Sequence, residues 1–484
     1  MSTFTSYAAG SSSAVYLQNL FGSVLPTSQF DLIEDSVKLI YGNGDYYNKS
    51  VSIGSFDGVS LMGLQKGLIL STGSATPPLS NTQSGYGIAF EETTGTFSYT
   101  EQLANVVSTA FALDPEIEDT TAIEFDFIVS DPNVKGIKFD LVFASDEFPE
   151  YADSPFVDVG AVFINGVNYA LFNNSASEPL SILGSNIAAG NFYNNENGTL
   201  AIEYDGVSPK LTITAPVVQG LNHFAIAVAD TGDQVLDSAL LISNLEVTGY
   251  AGNGVAPTVT PTTSMSVMDD LNGNQYFDIP ENYFLQLNMG SAGGDDVIDA
   301  SQGYALLNLG LSLSQLSGYT ISNNQIVINT PYGIKTVVGP DIIALSDLIA
   351  AFDTTSGGKT YEALSLLVTG LGGTPDTETL SLWSAKAIKA ESAASLADSM
   401  ISYYAPGGIS NEALVSWLYH NITGLDASND VVQQYASQIG NGLAYETQGA
   451  LLAMAAEIDP HLAQSGLVGS IQLLNSDVFW NSFG

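Results

Sequence analysis

Between Phe143 and Gly166 the chain reads FASDEFPEYADSPFVDVGAVFING, gathering Asp146, Glu147, Glu150, Asp153 and Asp158 with no Lys or Arg among them. Carboxylates crowded in this way repel one another unless they share a proton, hold a cation or face water. A second acidic string, AVADTGDQVLDSALL, sets Asp230, Asp233 and Asp237 around a Gly turn between two apolar stretches. Unpaired carboxylates are badly placed at buried strand ends, whereas calcium takes roughly six to eight oxygens from groups of this kind. Calcium, solvated loops and catalysis all stay open at this point. A two-carboxylate glycosidase would need one raised and one ordinary acid with aromatic groups for the sugar, and Phe148, Tyr151 and Phe156 are at hand.

A third string, DLNGNQYFDIPE, puts Asp270, Asn272, Asn274, Tyr276, Asp278 and Glu281 at the ligand positions of a calcium loop, Tyr276 giving only its backbone carbonyl. Gln275 stands where such a loop has Gly, and no helix precedes it, so a stand-alone calcium loop is expected, with an Asn/Gly-rich turn as the alternative. GGDDVIDAS (Gly293 to Ser301) is similar to a single Gly- and Asp-rich nonapeptide of type I-secreted proteins, and one copy cannot build a β-roll.

Composition narrows the field. The 484 residues carry 51 acidic and 10 basic side chains, a net charge of -41, and every basic residue is Lys. Such a surface repels phosphate backbones and anionic membranes, which excludes nucleic-acid binding. Without Cys there are no disulfides or thiolate metal sites. His223, His420 and His461 are scattered, which argues against a zinc enzyme or a Ser-His-Asp hydrolase. No apolar run approaches a membrane span. The first basic residue is Lys38, so the N-terminus lacks the charged start of a signal peptide. Export is then expected to use a C-terminal signal, as in type I secretion.

These residues need elements to hold them. Alternation in TAIEFDFIVS, with Ile123, Phe125 and Phe127 on one face and Glu124 and Asp126 on the other, predicts a strand, as do GIKFDLVFAS and ALLISNLEVTGY. The fold class is therefore multidomain. Residues 1–250 read as an all-β sandwich, jelly-roll-like, with minor helices near Val15–Phe21 and Glu101–Ala112. The Gly/Pro/Thr-rich residues 251–264 read as a linker. Residues 265–352 form a small β-rich segment carrying the calcium loop, with a hairpin turning at Ser322-Asn323-Asn324. Residues 357–484 read as an α-helical bundle of five or six helices, Ser410 capping one that lines up Leu414, Trp417, Leu418 and Ile422. The closing SDVFWNSFG is expected as an exposed aromatic terminus.

Four ordered motifs, KGLILSTGSA, AIEFDFIV, the opening stretch and FAIAVADTGDQVLDSALLISNLEV, resemble the choice-of-anchor L domain, a bacterial extracellular module, over residues 30 to 250. Asp146, Glu147 and Phe148 match its acidic-pair-plus-aromatic motif, Asp158 its Asp before the next strand, and Asp230, Asp233, Asp237 and Ser238 its acidic string. VSWLYHNITGLDASNDVVQQYASQIGNG resembles a helical domain common near the ends of type I-secreted surface proteins, although Leu425 replaces the usual Arg. The resemblances imply an extracellular bacterial protein and no chemistry. The expectation is a secreted calcium-binding structural or adhesive protein of the cell surface or biofilm matrix, self-associating as a homo-oligomer or polymer and not an enzyme. The alternatives are a calcium-dependent binder of surface glycans and a carboxylate hydrolase.

Overall fold

The structure, a computed structural model, describes residues 3–7, 13–21, 30–43, 51–83, 85–90, 92–111, 116–252, 254–322 and 324–484. In the first half, runs rich in β-branched and aromatic residues build the principal strands β1 (Lys38–Asn43), β2 (Ile53–Leu61), β3 (Leu64–Ser71), β4 (Ile117–Val129), β5 (Gly136–Ser145), β6 (Val159–Ile164), β7 (Leu211–Pro216), β8 (Gly220–Thr231) and β9 (Ser238–Thr248). One sheet runs β2-β3-β9-β5-β7 and the other β6-β8-β4-β1. They close as a sandwich in which Ile123, Phe125 and Phe127 of β4 share a core with Ile137, Phe139, Leu141 and Phe143 of β5. Each of these side chains is fully buried, a contribution of roughly 1.5–3 kcal/mol apiece. The expected helices are Ser13–Leu20 and Thr100–Phe111, while Ala112 lies outside the described residues. Leu103 and Val107 of the second helix cover the outer face of the β4 sheet. Glu124, expected on a wet face, is therefore buried beside His223.

Within the stretch expected as a linker, Gly254–Val259 form a strand. β10 (Gly254–Val259) pairs antiparallel with β7 and then parallel with β12 (Tyr276–Asp278), so the first sheet runs on into the middle segment. There the chain alternates between two parallel ladders. β12, β14 (Asp296–Asp299) and β18 (Gly333–Val338) extend one; β11 (Met265–Asp269), β13 (Phe284–Asn288), β15 (Tyr304–Asn308) and β19 (Ile342–Ala344) form the other. This is a stack of β-coils around Phe277, Leu285, Leu287, Ile298 and Leu307, so GGDDVIDAS is one corner of a short stack whose coils share no visible repeat. Between β15 and β18 the expected hairpin appears as β16 (Gly318–Ser322) and β17 (Gln325–Thr330); Asn323 of its turn lies outside the described residues.

The last part holds eight helices between Lys359 and Phe483, more than the sequence period suggested, because short segments such as Pro460–Gln464 carry too few residues to show one. Ser410 caps Asn411–Thr423 as expected, its hydroxyl accepting from Ala413 N at 3.2 Å. Leu414 and Leu418 are buried, while Trp417 stays half exposed and donates to Gly370 O at 2.8 Å. The terminal aromatics are corrected: Phe479 and Phe483 lie in the bundle core, because Ser476–Phe483 is an amphipathic helix packed on its neighbours. Phe284, Leu306, Ile342 and Ile349 belong to the same core, so the bundle sits on the second coil ladder. Among the described residues no helix is long and apolar enough to cross a membrane.

Lysines tie the parts together. Lys138 of β5 reaches Asp299 and Glu246 at 3.0 Å each and Tyr276 Oη at 2.9 Å, across the seam between sandwich and coils. Lys335 of β18 is 1% exposed and bonds Asp296, Asp270 (3.4 Å) and Gly294 O (2.9 Å). Lys335→Met would leave two buried carboxylates facing each other without a cation. The expected loss is about 3–5 kcal/mol, read by chemical denaturation; an unchanged midpoint would mean Lys335 does not hold these acids.

Candidate metal centre

The two sheets bring their acidic residues to one end of the sandwich. β5 ends at Ser145 and β9 begins opposite it at Ser238, which puts Asp146 and Asp237 side by side, Asp146 N donating to Asp237 O at 3.0 Å. In the other sheet β6 pairs with β8 so that Val159 faces Ala229, which makes Asp158 and Asp230 neighbours. Glu147 joins the sheets, its carboxylate accepting from Asp158 N at 2.8 Å. Asp119 is added by a bulge in the β8–β4 pairing, with its backbone at φ 32 in the left-handed region.

Asp146, Glu147, Asp158, Asp230 and Asp237 are each 3% exposed or less. Among the described residues no ion pair involves any of them. Asp146 accepts from Tyr86 N and Asp237 from Ile88 N at 2.8 Å, leaving Asp146 Oδ1 and Asp237 Oδ2 bare. Asp158 faces Ser238 and Asp230, and Asp230 faces Thr72, short of hydrogen-bond geometry, so both oxygens of both carboxylates lack a partner. Burial first, and then the neighbouring charges, push Glu147, Asp158, Asp230 and Asp237 well above the carboxylate range. For the same reasons Asp146 rises to about 7 and Asp119 to about 6. Gly73 leaves the room Asp237 needs, since a Cβ there would lie 1.8 Å from Asp237 Oδ2.

Asp233 lies near enough for its charge to help raise Glu147, but it is only half-buried and its carboxylate accepts from Val235 N of its own turn at 3.1 Å. Glu150 and Asp153 are exposed. The third string does not converge as a calcium loop. Asp270 is held by Lys335, and Asn272 and Asn274 accept from Gly293 N (3.1 Å) and Asp295 N (2.9 Å) of the next coil. Tyr276 Oη donates to Asp299 at 2.7 Å, Asp278 faces Lys210 at 3.9 Å, and Glu281 is exposed. These residues step from coil to coil instead of wrapping a point, because parallel pairing with β14 extends the backbone at Tyr276–Asp278.

The sequence reading missed Asp119, Glu203 and Asp205. The last two stand near Asp146 and help raise it. Asp205 stands in an Asp-Gly pair, which by itself reads as a turn, and the acidic run Glu116, Glu118, Asp119 at the start of β4 was the available signal for Asp119. A cleft of about 470 Å³ opens on Asp146 and is lined by Asn81, Gln83, Glu150, Tyr151 and Asp205. A second, of about 400 Å³, reaches Asp119 from the helix side. Among the described residues no three His, Asp or Glu side chains already stand close enough to share one ion. The carboxylates form a row between two clefts.

The class is an all-β sandwich joined to a β-coil stack and a helical bundle. Residues 11–247, the sandwich, match the choice-of-anchor L domain family. No curated protein matches the chain. Among solved structures it is similar to CBM35 from Cellvibrio japonicus Abf62, at 16% identity, covering 35% of this chain and 96% of that one, with a TM-score of 0.14. It is also similar to β-glucosidase from Kluyveromyces marxianus in complex with glucose, at 7% identity and a TM-score of 0.18, covering 61% of this chain and 27% of the enzyme. Superpositions this loose transfer neither fold nor activity.

The raised acids set a pH dependence. For Asp119 and Asp146 the folded pKa values lie above the unfolded value of 3.8, so the stability they contribute is fully present below that pH and is lost as pH rises through about 6 for Asp119 and about 7 for Asp146. His223, raised by its bonds to Glu124 and Asp126 against burial, contributes in the same direction above its ordinary 6.5. In chelator the melting temperature should fall between pH 5 and pH 8. A rise over that range would show that the row is not buried as described.

Proposed function

We propose that this is a secreted, calcium-binding structural or adhesive protein of the bacterial cell surface or biofilm matrix, self-assembling and without catalytic activity. One observation carries it: six carboxylate oxygens, on Asp146, Asp158, Asp230 and Asp237, are buried without a hydrogen-bond partner between strands of both sheets. A divalent cation is the partner that fits a site of oxygens alone, and binding would both neutralise the row and tie one sheet to the other. Calcium-poor cytoplasm would leave the sandwich loosened, and the outside of the cell would lock it. The choice-of-anchor match supports an extracellular or cell-surface setting. The helical part fits a secretion or assembly role.

A second reading is a calcium-dependent glycan binder. It is favoured by the cleft beside Asp146, whose amides, carboxylates and Tyr151 are the groups that grip sugar hydroxyls; a glycan array without a hit would remove it. A hydrolase is the least supported reading, since Asp158 and Asp230 are sealed from any polymer substrate.

The test is thermal unfolding with calcium and with chelator. At a hundredfold excess over Kd, one ion should add about 2.7 kcal/mol, a rise of roughly 5–10 °C for the sandwich. Asp158→Asn and Asp230→Asn should lose that gain. In chelator both should be as stable as the unsubstituted chain or more so, because each removes an unpaired buried charge. If calcium raises the melting temperature of Asp158→Asn as much as that of the unsubstituted chain, the row is not its site.

A further inference from the structure

We propose that the strand β16 (Gly318–Ser322) is the surface through which one protomer pairs with a second copy of itself, edge to edge and antiparallel. The inference rests on the self-assembly reading above and names the partner and the place.

β16 is the terminal strand of the sheet that begins in the sandwich, and among the described residues it pairs only with β17. Sheet edges are normally guarded by Lys, Pro, a bulge or a covering element. Among the described residues this one has no such guard: its pairing with β17 is continuous, GYTIS contains neither Pro nor charge, and Tyr319 to Ser322 are all exposed. Tyr319 is 55% and Ile321 47% exposed, on the face they share with Ile326 and Ile328. That face continues into an apolar groove of about 380 Å³, lined further by Leu313, Leu316 and Leu348.

Two features select a second copy as the occupant. The first is charge. With a net -41, copies repel across most approaches, yet from Ala300 to Ile334 the sequence carries no charged residue, so β16 and β17 bring no like charge of their own to the joint. The second is symmetry. In an antiparallel pair centred on Thr320, Tyr319 of one protomer stands opposite the partner's Ile321, and the reciprocal pair forms by the two-fold. Residues directly opposite in such a pair point to the same face. Two aromatic–β-branched pairs would thus be buried and the two grooves joined into one.

The test is sedimentation velocity of the full chain over a concentration series with calcium. The unsubstituted chain should associate. Ile321→Lys and Tyr319→Lys, at exposed positions, should weaken association at least tenfold, because each places a desolvated ammonium at the joint. Val267→Lys, on the exposed strand of the other ladder, should not change it. If Ile321→Lys loses melting temperature, Tyr319→Lys carries the result. A chain that stays monomeric at every concentration, or lysine variants that associate as well as the unsubstituted chain, would overturn the proposal. The calcium reading is judged separately, by whether calcium raises the melting temperature of Ile321→Lys.

Discussion

Like charge buried without a counter-charge governs the first half of this protein. Asp158 precedes VGAVFI, every residue of which is buried, and Asp230 lies inside β8 among Ala227, Val228 and Ala229. The apolar neighbours drive these strands inward, and the carboxylates travel with them. They cannot reach water without pulling β6 and β8 out of the sheet. The position of Gly73 against Asp237, the bulge that turns Asp119 inward and the backbone N–H groups of Tyr86 and Ile88 aimed at the row are local adjustments around that constraint.

Positive charge is scarce, with ten lysines against 51 acids, and its placement is informative. Lys138 and Lys210 cross the seam between sandwich and coils, and Lys335 lies beneath a coil corner. Burial pushes Asp299 up, but Lys138 beside it and the hydroxyls of Ser301 and Tyr276 hold its carboxyl below the usual range. Asp270, Asp296 and Asp299 are each held by an ammonium, and the Asp146–Asp158–Asp230–Asp237 row has none. That contrast separates the third acidic string, whose Asp270 is already paired, from the first two.

The three parts form a continuous body. β10 carries the sandwich sheet into the coil stack, and the coil ladder supplies Phe284 and Leu306 to the core of the helical bundle. Gln472–Leu474 returns from the helices to pair beside Ile349–Ala351 at the edge of that ladder. The sheet that begins in the sandwich runs strand by strand to β16.

Local pattern determined much of this by itself. Period-two alternation located β4, β5 and β9, the Ser410 cap and apolar spacing located a helix, and the acidic strings marked Asp146, Glu147, Asp158, Asp230 and Asp237, because each signal lies within a few residues of chain. Tertiary structure alone decided that Gly254–Val259 is a strand, that Asn272 and Asn274 bridge coils, that Lys335 takes Asp270, and that Phe479 and Phe483 are buried. Each of those depends on a partner tens of residues away. A Gly/Pro/Thr-rich segment becomes a strand once β7 offers it an edge, and an acidic turn loses its call for a cation once Lys335 reaches it from a later coil. The same reasoning separates the two acidic strings that meet from the one that does not. Asp146 and Asp158 meet Asp237 and Asp230 because antiparallel pairing places their strand ends together, a fact of register that spacing along the chain does not contain.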